Sequence, residues 1–347
     1  MADRGHEIGL VGAFRSLPAL VPLLDRANVN IVDQQIHTRG FRSLPRLAWH
    51  IRRFAPDVVH SYLRSADIVA SIACLRYRGK FVSTVGEQLP TVHDVDHPSA
   101  YKMMLHRWSL AKRMDAVVAT SEFVRNSLFE YVRFSDLQVQ IIPNGIDTDV
   151  FSPFNRVNPS ELFGIPLEGK KVIGVVGRIS IEKRPKMLLE VISQLNTRGL
   201  DVVGLYIGDG SQRRDLEALV ERRGLTDRIK FAHLRHDMGR VYRALDLVAH
   251  FCEVEGFGLV PAEALASGTP VVATAGGASS DMITDGENGY LVAANDLELF
   301  VERVYRLLVD TNFRDCFRSA GIKSIEDRFS LDQYVNNHEQ LYESIRR

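Results

Sequence analysis

The stretch EGFGLVPAE, Glu255–Glu263, decides how the second half of the chain folds. It follows the apolar run Leu245–Ala249 and leads into a helix-like segment. Two glycines within three residues let the backbone approach a ligand closely, and Pro261 suits the first turn of a helix. A loop that feeds a helix N-terminus offers unpaired N–H groups to a phosphate. The stretch therefore predicts an anion site, with Glu255 in the loop and Glu263 about one turn into the helix.

Buried-strand patterns alternate with helical patterns on both sides of this stretch. Between two apolar runs, for example, Leu188, Val191, Ile192 and Leu195 recur at helical spacing. This alternation predicts a parallel α/β sheet in each half, and 347 residues favour two domains. The predicted strands include 81–85, 116–119, 172–176, 202–207, 229–232 and 269–273.

The composition is that of an ordinary globular protein, with 45% hydrophobic and 25% charged residues. The net charge is zero, but residues 1–157 carry 19 Lys and Arg against 15 Asp and Glu. Cys74, Cys252 and Cys316 lack metal-ligand spacing and are predicted to be small buried residues of a reducing compartment. No apolar run reaches the ~18 residues of a transmembrane helix, and no signal-peptide pattern is present. These features predict a cytoplasmic protein.

The longer segment EGFGLVPAEALASGTPVVA, 255–273, resembles the donor-binding signature of retaining nucleotide-sugar glycosyltransferases of family 4, which have the GT-B fold. The signature is a pair of glutamates separated by seven residues. The resemblance implies that Glu255 contacts the donor sugar and that Glu263 holds the ribose hydroxyls. An ordinary loop–helix joint with solvated acids is the alternative. The backbone amides implied to bind the diphosphate are those of Phe257, Gly258, Leu259 and Val260.

The segment GRISIEKRP, 177–185, resembles the diphosphate clamp of the same family. The resemblance implies that Arg178 and Lys183 offset the charge on the departing nucleoside diphosphate, and with Glu255 they are the predicted catalytic residues. Glu255 is not assigned as a nucleophile, because the diphosphate itself can take the acceptor's proton. Two solvated surface cations are the alternative. No metal or other cofactor is expected, since no acidic pair that would hold magnesium lies at a strand end.

The acceptor side departs from the family pattern. Many relatives place a histidine after the third strand, whereas here Gly86 is followed by Glu87. Glu87 is the candidate to orient or deprotonate an acceptor hydroxyl, although a solvated loop acid fits equally well. His93 and His97 lie nearby and are undecided. His60 is expected to be a structural hydrogen-bonding residue.

The beginning of the chain also departs from the pattern. Members of the family usually open with a strand, a glycine-rich loop and a first helix, whereas Arg4–Val11 resembles the end of that helix and the second strand. We therefore expect the first domain to lack its first strand and most of its first helix. An unpaired neighbouring strand would make residues 8–12 easy to open.

Two basic amphipathic segments, 44–54 and 99–113, lie in the first half. Either they contact a membrane that carries a lipid-linked acceptor, or they pack on a sheet and expose their charged face to solvent. The second reading is the more common one for such helices. No segment resembles a nucleic-acid-binding motif.

The predicted fold is α/β of the GT-B type, with two Rossmann-like domains facing a cleft. Residues 1–147 are the acceptor-side domain, residues 148–327 bind the nucleotide sugar, and residues 328–347 form a helix that crosses back to the first domain.

The predicted reaction moves a hexose or N-acetylhexosamine from a nucleotide diphosphate sugar to a saccharide or lipid-linked saccharide with retention. The setting is surface polysaccharide biosynthesis in the cytoplasm, with peripheral contact at the inner face of the membrane. A nucleotide-sugar epimerase of the same fold is one alternative. A truncated, non-catalytic homologue that binds nucleotide sugar or a partner subunit is the other.

Overall fold

The protein is described by a computed structural model that covers residues 1–11, 29–33, 43–89, 100–132 and 138–346. The chain divides into two compact units. Unit 1 consists of Met1–Pro143 with Val335–Arg347, and unit 2 consists of Asn144–Tyr334. The domain limits at residues 147 and 327 stay a prediction.

Unit 2 is built on a six-stranded sheet in which every neighbouring pair is parallel. The spatial order is β12-β11-β10-β7-β8-β9, so the chain moves outward from β7 in one direction and then outward from β10 in the other. This is the doubly wound order of Rossmann-like sheets. The strands are β7 Lys171–Val176, β8 Val202–Ile207, β9 Ile229–Ala232, β10 Leu247–His250, β11 Val271–Thr274 and β12 Tyr290–Val292.

Helices cover both faces of this sheet, which explains why its strands are apolar without alternation. All six residues of β8 are buried. Val203 and Leu205 belong to the core on one face, while Val202 and Tyr206 belong to the core on the other. The helices of unit 2 are α5 Pro159–Phe163, α6 Lys186–Thr197, α7 Arg213–Arg222, α8 Met238–Ala244, α9 Leu259–Ala266, α10 Ser279–Met282, α11 Leu297–Val309 and α12 Thr311–Phe329.

Unit 1 contains a four-stranded parallel sheet of order β3-β4-β5-β6 and a two-stranded parallel sheet, β1-β2. Ser121 caps the helix Glu122–Val132, because the backbone N–H of Val124 donates to the Ser121 hydroxyl at 3.1 Å. The elements are β1 Gly9–Val11, β2 Asn30–Asp33, α1 Leu44–Phe54, β3 Val58–Tyr62, α2 Arg64–Ala73, β4 Lys80–Val85, α3 Ala100–Arg113, β5 Ala116–Ala119, α4 Glu122–Val132, β6 Val139–Ile141 and α13 Leu331–Arg346.

The first strand has a partner. Gly9–Val11 pairs with Asn30–Asp33, and Val11 packs against the cluster that contains Leu47 and Phe81. The expected easy opening near residues 8–12 must therefore overcome this pairing. In the described part of unit 1, no strand pairing joins β1-β2 to the four-stranded sheet. That a further strand belongs before β1 stays a prediction.

One detail of the sequence analysis is wrong. Cys316 is exposed on α12, whereas Cys74 and Cys252 are buried as expected. Helix α12 runs from Thr311 to Phe329. The carboxylate of Asp310 caps its start by accepting from the backbone N–H of Phe313 at 2.9 Å.

Most of the last helix, α13, groups with unit 1, as the resemblance implied. There the hydroxyl of Tyr342 lies 2.5 Å from Nδ1 of His60, while Nε2 of His60 lies 2.7 Å from the Thr84 hydroxyl. The ring of His338 is 5.5 Å from that of His60. Burial, reinforced by the neighbouring His338, lowers the pKa of His60 to about 3. His60 is thus a structural hydrogen-bonding residue that stays neutral in the folded protein.

We predict that acid weakens unit 1 through His60. Below about pH 6.5 the unfolded chain binds a proton at His60, whereas the folded protein does so only near pH 3. The His60 contribution to the free energy of unfolding is therefore present above pH 6.5 and is lost as the pH falls toward 3. The expected loss between pH 6.5 and 4.5 is about 2–3 kcal/mol, at 1.36 kcal/mol per pH unit. His60→Gln is expected to flatten this dependence in urea unfolding, while the exposed His233→Gln in unit 2 leaves it unchanged. Equal slopes for wild type and His60→Gln would contradict the prediction.

Candidate active site

The candidate site lies at one edge of the unit 2 sheet, beside the reversal of strand order. Since the six strands are parallel, their carboxyl ends share that edge. The reversal falls between neighbouring strands β7 and β10, which is where ligands bind in open α/β sheets. The loop after β7 carries Arg178 and Lys183, and the loop after β10 carries Glu255. Strand order therefore brings two distant predicted motifs together.

The loop after β7 is held by close backbone packing. Gly177 and Gly208, which end neighbouring strands, both have left-handed φ values, 120° and 137°. A β-carbon on Gly208 would lie 2.1 Å from the Gly177 carbonyl oxygen, so only glycine fits there. A short 3₁₀ turn, Ile181–Lys183, then leads toward α6. Arg178 and Lys183 thus project from a backbone with little freedom to move.

Glu255 sits between two basic side chains. Its Oε1 is 3.0 Å from the Lys183 ammonium, and its Oε2 is 2.7 Å from Nε2 of His250. Apart from each other, Nε2 and Oε2 have no hydrogen-bond partner among the described residues. The side chain of Glu255 is 20% exposed and that of His250 only 4%. The carboxylate is therefore largely desolvated but reachable.

The pKa values of this cluster follow from burial and charge together. Burial alone would raise the pKa of Glu255, but His250 and Lys183 outweigh it and lower the pKa to about 2. Burial would likewise lower the pKa of Lys183, but Glu255 and the nearby Cys252 thiol offset it and raise the pKa. The pair is therefore a carboxylate and an ammonium at neutral pH.

Two glycines support the Glu255 loop from the β11 side. Gly276 and Gly277 have φ values of 140° and 54°. A β-carbon on Gly277 would lie 2.8 Å from the backbone nitrogen of Glu255. The Glu255 carbonyl also accepts from the backbone N–H of Ala278 at 2.9 Å. The two glycines thus let the backbone after β11 touch the backbone of the Glu255 loop.

Helix α9 begins at the glycines, as predicted. Gly258 precedes it with φ of 86°, and the first intrahelical bond is from Ala262 N–H to the Gly258 carbonyl at 3.2 Å. The amides of Leu259 and Val260, in the first turn, have no acceptor inside the helix. Phe257 is buried, with its ring 5.9 Å from that of Phe329. Phe257 therefore anchors the loop, while the following amides are placed for an anion.

Glu263 is held by a tyrosine. The hydroxyl of Tyr242, on α8, donates to Oε2 of Glu263 at 2.7 Å. Burial raises the pKa of Glu263, and this hydrogen bond opposes that rise. Burial beside this carboxylate also raises the pKa of Tyr242 well above its usual value. Tyr242 thus fixes the orientation of Glu263 on α9.

The remaining predicted residues are less constrained. Arg178 is exposed, and no ion pair of its side chain is found within the described ranges. Glu87, in unit 1, forms a 3.2 Å ion pair with Arg64, and both side chains are about half exposed. His93 and His97 lie outside the described residues. The acceptor role of Glu87 stays a prediction.

Sequence reasoning missed three neighbours of the predicted glutamates: His250, Cys252 and Tyr242. His250 ends an otherwise apolar buried strand, and Cys252 follows two residues later. A histidine that closes a strand at the ligand-binding edge is a usable signal. Tyr242 gave no such signal, because its position on α8 matches an ordinary core residue.

Comparison with known proteins places the chain in a family. A profile described as Glycosyltransferase Family 4 matches residues 1–150, and one described as Glycosyl transferases group 1 matches residues 161–324. Over 250 residues the chain is 33% identical to the lipopolysaccharide core biosynthesis mannosyltransferase LpsB of Rhizobium meliloti, covering 69% of each protein. The chain belongs to glycosyltransferase family 4. It is therefore a retaining glycosyltransferase of the hexosyltransferase class that uses nucleotide sugars.

Other relatives of this family 4 glycosyltransferase are longer. It is 30% identical over 260 residues to a D-inositol 3-phosphate glycosyltransferase of Mycolicibacterium smegmatis, covering 73% of this chain but only 59% of the relative. Anabaena HepE, solved in complex with UDP-glucose, superposes with a TM-score of 0.82 at 22% identity over 96% of this chain and 91% of HepE. A Rickettsia africae glycosyltransferase superposes with a TM-score of 0.83 at 20% identity over 99% and 91%. These likenesses establish the GT-B fold.

One further finding concerns membranes. Across the described helices, none combines the length and the apolar character that crossing a bilayer requires.

We predict that Glu263→Gln weakens binding of the cognate nucleoside diphosphate by about 1–3 kcal/mol, because a charged acceptor is lost. The amide oxygen can still accept from Tyr242, so the fold is expected to persist. Tyr242→Phe is the matched control: it removes the hydrogen bond that orients Glu263 but leaves the carboxylate. Its loss of affinity is expected to be smaller. Calorimetric titration is the measurement, and unchanged affinity of Glu263→Gln would remove Glu263 from the site.

Proposed function

We propose that the protein transfers a hexose or N-acetylhexosamine from a nucleoside diphosphate sugar to a saccharide or lipid-linked saccharide, in the assembly of a surface polysaccharide. The observation that carries this proposal is the arrangement of Lys183, Glu255 and the start of α9 at one sheet edge. An ammonium and unpaired helix amides suit a diphosphate, and a reachable carboxylate suits sugar hydroxyls. HepE, whose crystal holds UDP-glucose, supports a uridine nucleotide as the first donor to test.

The charged residues predicted on the donor side, and two of the predicted amides, each have a role in this reaction. The amides of Leu259 and Val260 receive the diphosphate, and Glu263 receives the ribose hydroxyls. Lys183 and Arg178 neutralise the charge that grows as the bond between sugar and phosphate breaks. Glu255 holds the donor sugar beside the diphosphate, whose oxygen takes the acceptor's proton on the same face.

Family membership favours transfer over the two alternatives. The catalytic proposal needs Lys183 and Glu255 to remain charged, and their pKa directions support that. An epimerase would convert the donor sugar with no acceptor present, so product analysis with donor alone separates it from a transferase. A non-catalytic homologue would bind nucleotide sugar and release no nucleoside diphosphate in the presence of any acceptor.

We predict that Arg178→Ala and Lys183→Ala each lower the rate of transfer by about 100-fold or more, since one preorganised charge partner contributes about 2.7–4 kcal/mol in a transition state. Arg178→Lys is expected to recover only part of the rate, because the lysine ammonium cannot donate two parallel hydrogen bonds to phosphate oxygens as the planar guanidinium does. Single-turnover transfer with saturating donor is the measurement.

A matched control is Lys186→Ala, which removes an exposed cation from the start of α6 outside the proposed clamp. Its rate is expected to stay near that of wild type. Rates within a few-fold of wild type for both clamp variants would count against the proposed function.

The acceptor side supports a lipid-linked acceptor at an anionic membrane. Helices α1 and α3 both pack against α2 in unit 1, and neither contains an acidic residue. The large apolar side chains Trp49, Met104 and Trp108 are exposed on them. Exposed cations beside exposed aromatic residues are typical of a helix face that lies in the headgroup region. The name of LpsB, a lipopolysaccharide core biosynthesis enzyme, is compatible with this acceptor class.

We predict that the protein binds vesicles containing an anionic phospholipid and binds zwitterionic vesicles much less. Arg52→Gln with Lys102→Gln, one exposed cation from each helix, is expected to lower the affinity about 10-fold or more, at about 1 kcal/mol per cation. The matched control is Lys186→Gln with Lys323→Gln, two exposed cations of unit 2. Co-sedimentation is the measurement. Equal loss in both double variants would mean a general charge effect, and no binding by wild type would reject the membrane surface.

A further inference from the structure

A cluster of three potential metal ligands lies in the loop that follows β10. An imidazole nitrogen of His250, the Cys252 thiol sulfur and a Glu255 carboxylate oxygen all lie within 4.8 Å of one another. His250 and Cys252 are almost fully buried, at 4% and 0% exposure. The reaction proposed above uses Glu255 but assigns no task to His250 or Cys252.

Two buried atoms of this cluster have only each other as partners. Nε2 of His250 and Oε2 of Glu255 lie 2.7 Å apart, and among the described residues neither has another hydrogen-bond partner. Buried polar atoms in native proteins are nearly always satisfied by hydrogen bonds, water or ions. The Cys252 thiol donates weakly to the Val254 carbonyl at 3.5 Å and lies near the Lys183 ammonium. A cation coordinated by all three side chains would give each of them a stronger partner.

We propose that His250, Cys252 and Glu255 form a binding site for a thiophilic divalent cation of the Zn²⁺ class, and that the bound ion inhibits donor binding. One thiolate, one imidazole and one carboxylate are ligands that zinc accepts, with a fourth position left for water. Magnesium prefers oxygen ligands and does not fit this set. The metal site stands independently of the proposed function, whereas the inhibition rests on it.

The geometry requires only a small rearrangement. Tetrahedral zinc with these ligands separates donor atoms by about 3.5 Å. This lies between the 2.7 Å that separates Nε2 of His250 from Oε2 of Glu255 and the 4.8 Å limit of the cluster. His250 ends a strand, and the backbone at Glu255 is held against Gly277. The Glu255 side chain, which is partly exposed, is therefore the group that closes onto the ion.

The ion would compete with Lys183. The ammonium lies at Oε1 of Glu255, and the proposed ion lies at Oε2, beside His250. A divalent ion on the second oxygen repels the ammonium and withdraws the carboxylate from the sugar. Zinc therefore acts as an inhibitor at this site and supplies no step of the transfer.

The first test is cobalt titration of chelator-treated protein, because a thiolate bound to Co²⁺ gives a charge-transfer absorption. Wild type is expected to bind one equivalent with this absorption, and Mg²⁺ is expected not to compete. Cys252→Ser and His250→Gln are expected to lose at least about 10-fold in affinity, with the absorption absent from Cys252→Ser. Cys316→Ser, which removes an exposed cysteine elsewhere in unit 2, is the matched control and is expected to keep both. Lys183→Met is expected to bind the ion more tightly.

The second test is titration of the nucleotide sugar, which carries the sugar that Glu255 is proposed to hold, with and without one equivalent of Zn²⁺. Zinc is expected to weaken binding of the nucleotide sugar at least about 10-fold in wild type and in Cys316→Ser, and not in Cys252→Ser. The site is overturned if wild type shows no saturable cobalt binding or if the absorption follows Cys316. If cobalt binds as expected but zinc leaves the affinity for nucleotide sugar unchanged, the site stands and the inhibition is overturned. If nucleotide sugar fails to bind in any condition, the proposed function falls and the metal site is judged by the cobalt titration alone.

Discussion

The pairing of β7 with β10 is the constraint on which the candidate site depends. These strands are neighbours in the sheet although two strands and three helices separate them along the chain, and the order reverses between them. Their loops consequently emerge side by side, and a cation from one meets a carboxylate from the other at 3.0 Å. A change in strand order would separate the clamp residues from the glutamate signature while leaving every local motif intact.

Glycine contacts convert that arrangement into a fixed geometry. Gly208 packs on the carbonyl of Gly177, and Gly277 packs on the backbone of Glu255, each at a distance that excludes a β-carbon. Both loops are thus held by backbone contact, which leaves the charged side chains as the adjustable part of the site. Because the loops are already fixed in place, their charged groups need little rearrangement when charge develops in a transition state.

The two carboxylate oxygens of Glu255 face different chemical groups. Lys183 and His250 keep the carboxylate ionised despite its burial. One carboxylate oxygen lies against the Lys183 ammonium, and the other faces a histidine and a cysteine whose chemistry suits a soft metal. Low exposure strengthens electrostatic interactions at both oxygens.

The sequence by itself determined the α/β class, most strand positions in unit 2, the start of α9 and the candidate donor residues. Hydrophobic runs, glycines and a proline act locally, so their consequences are readable from neighbouring positions. Only the tertiary structure decided that Lys183 and His250 flank Glu255, that Tyr242 orients Glu263, and that Gly9–Val11 is paired. Those contacts join residues far apart in the chain, and they follow from the lateral order and packing of strands, which local patterns leave undetermined.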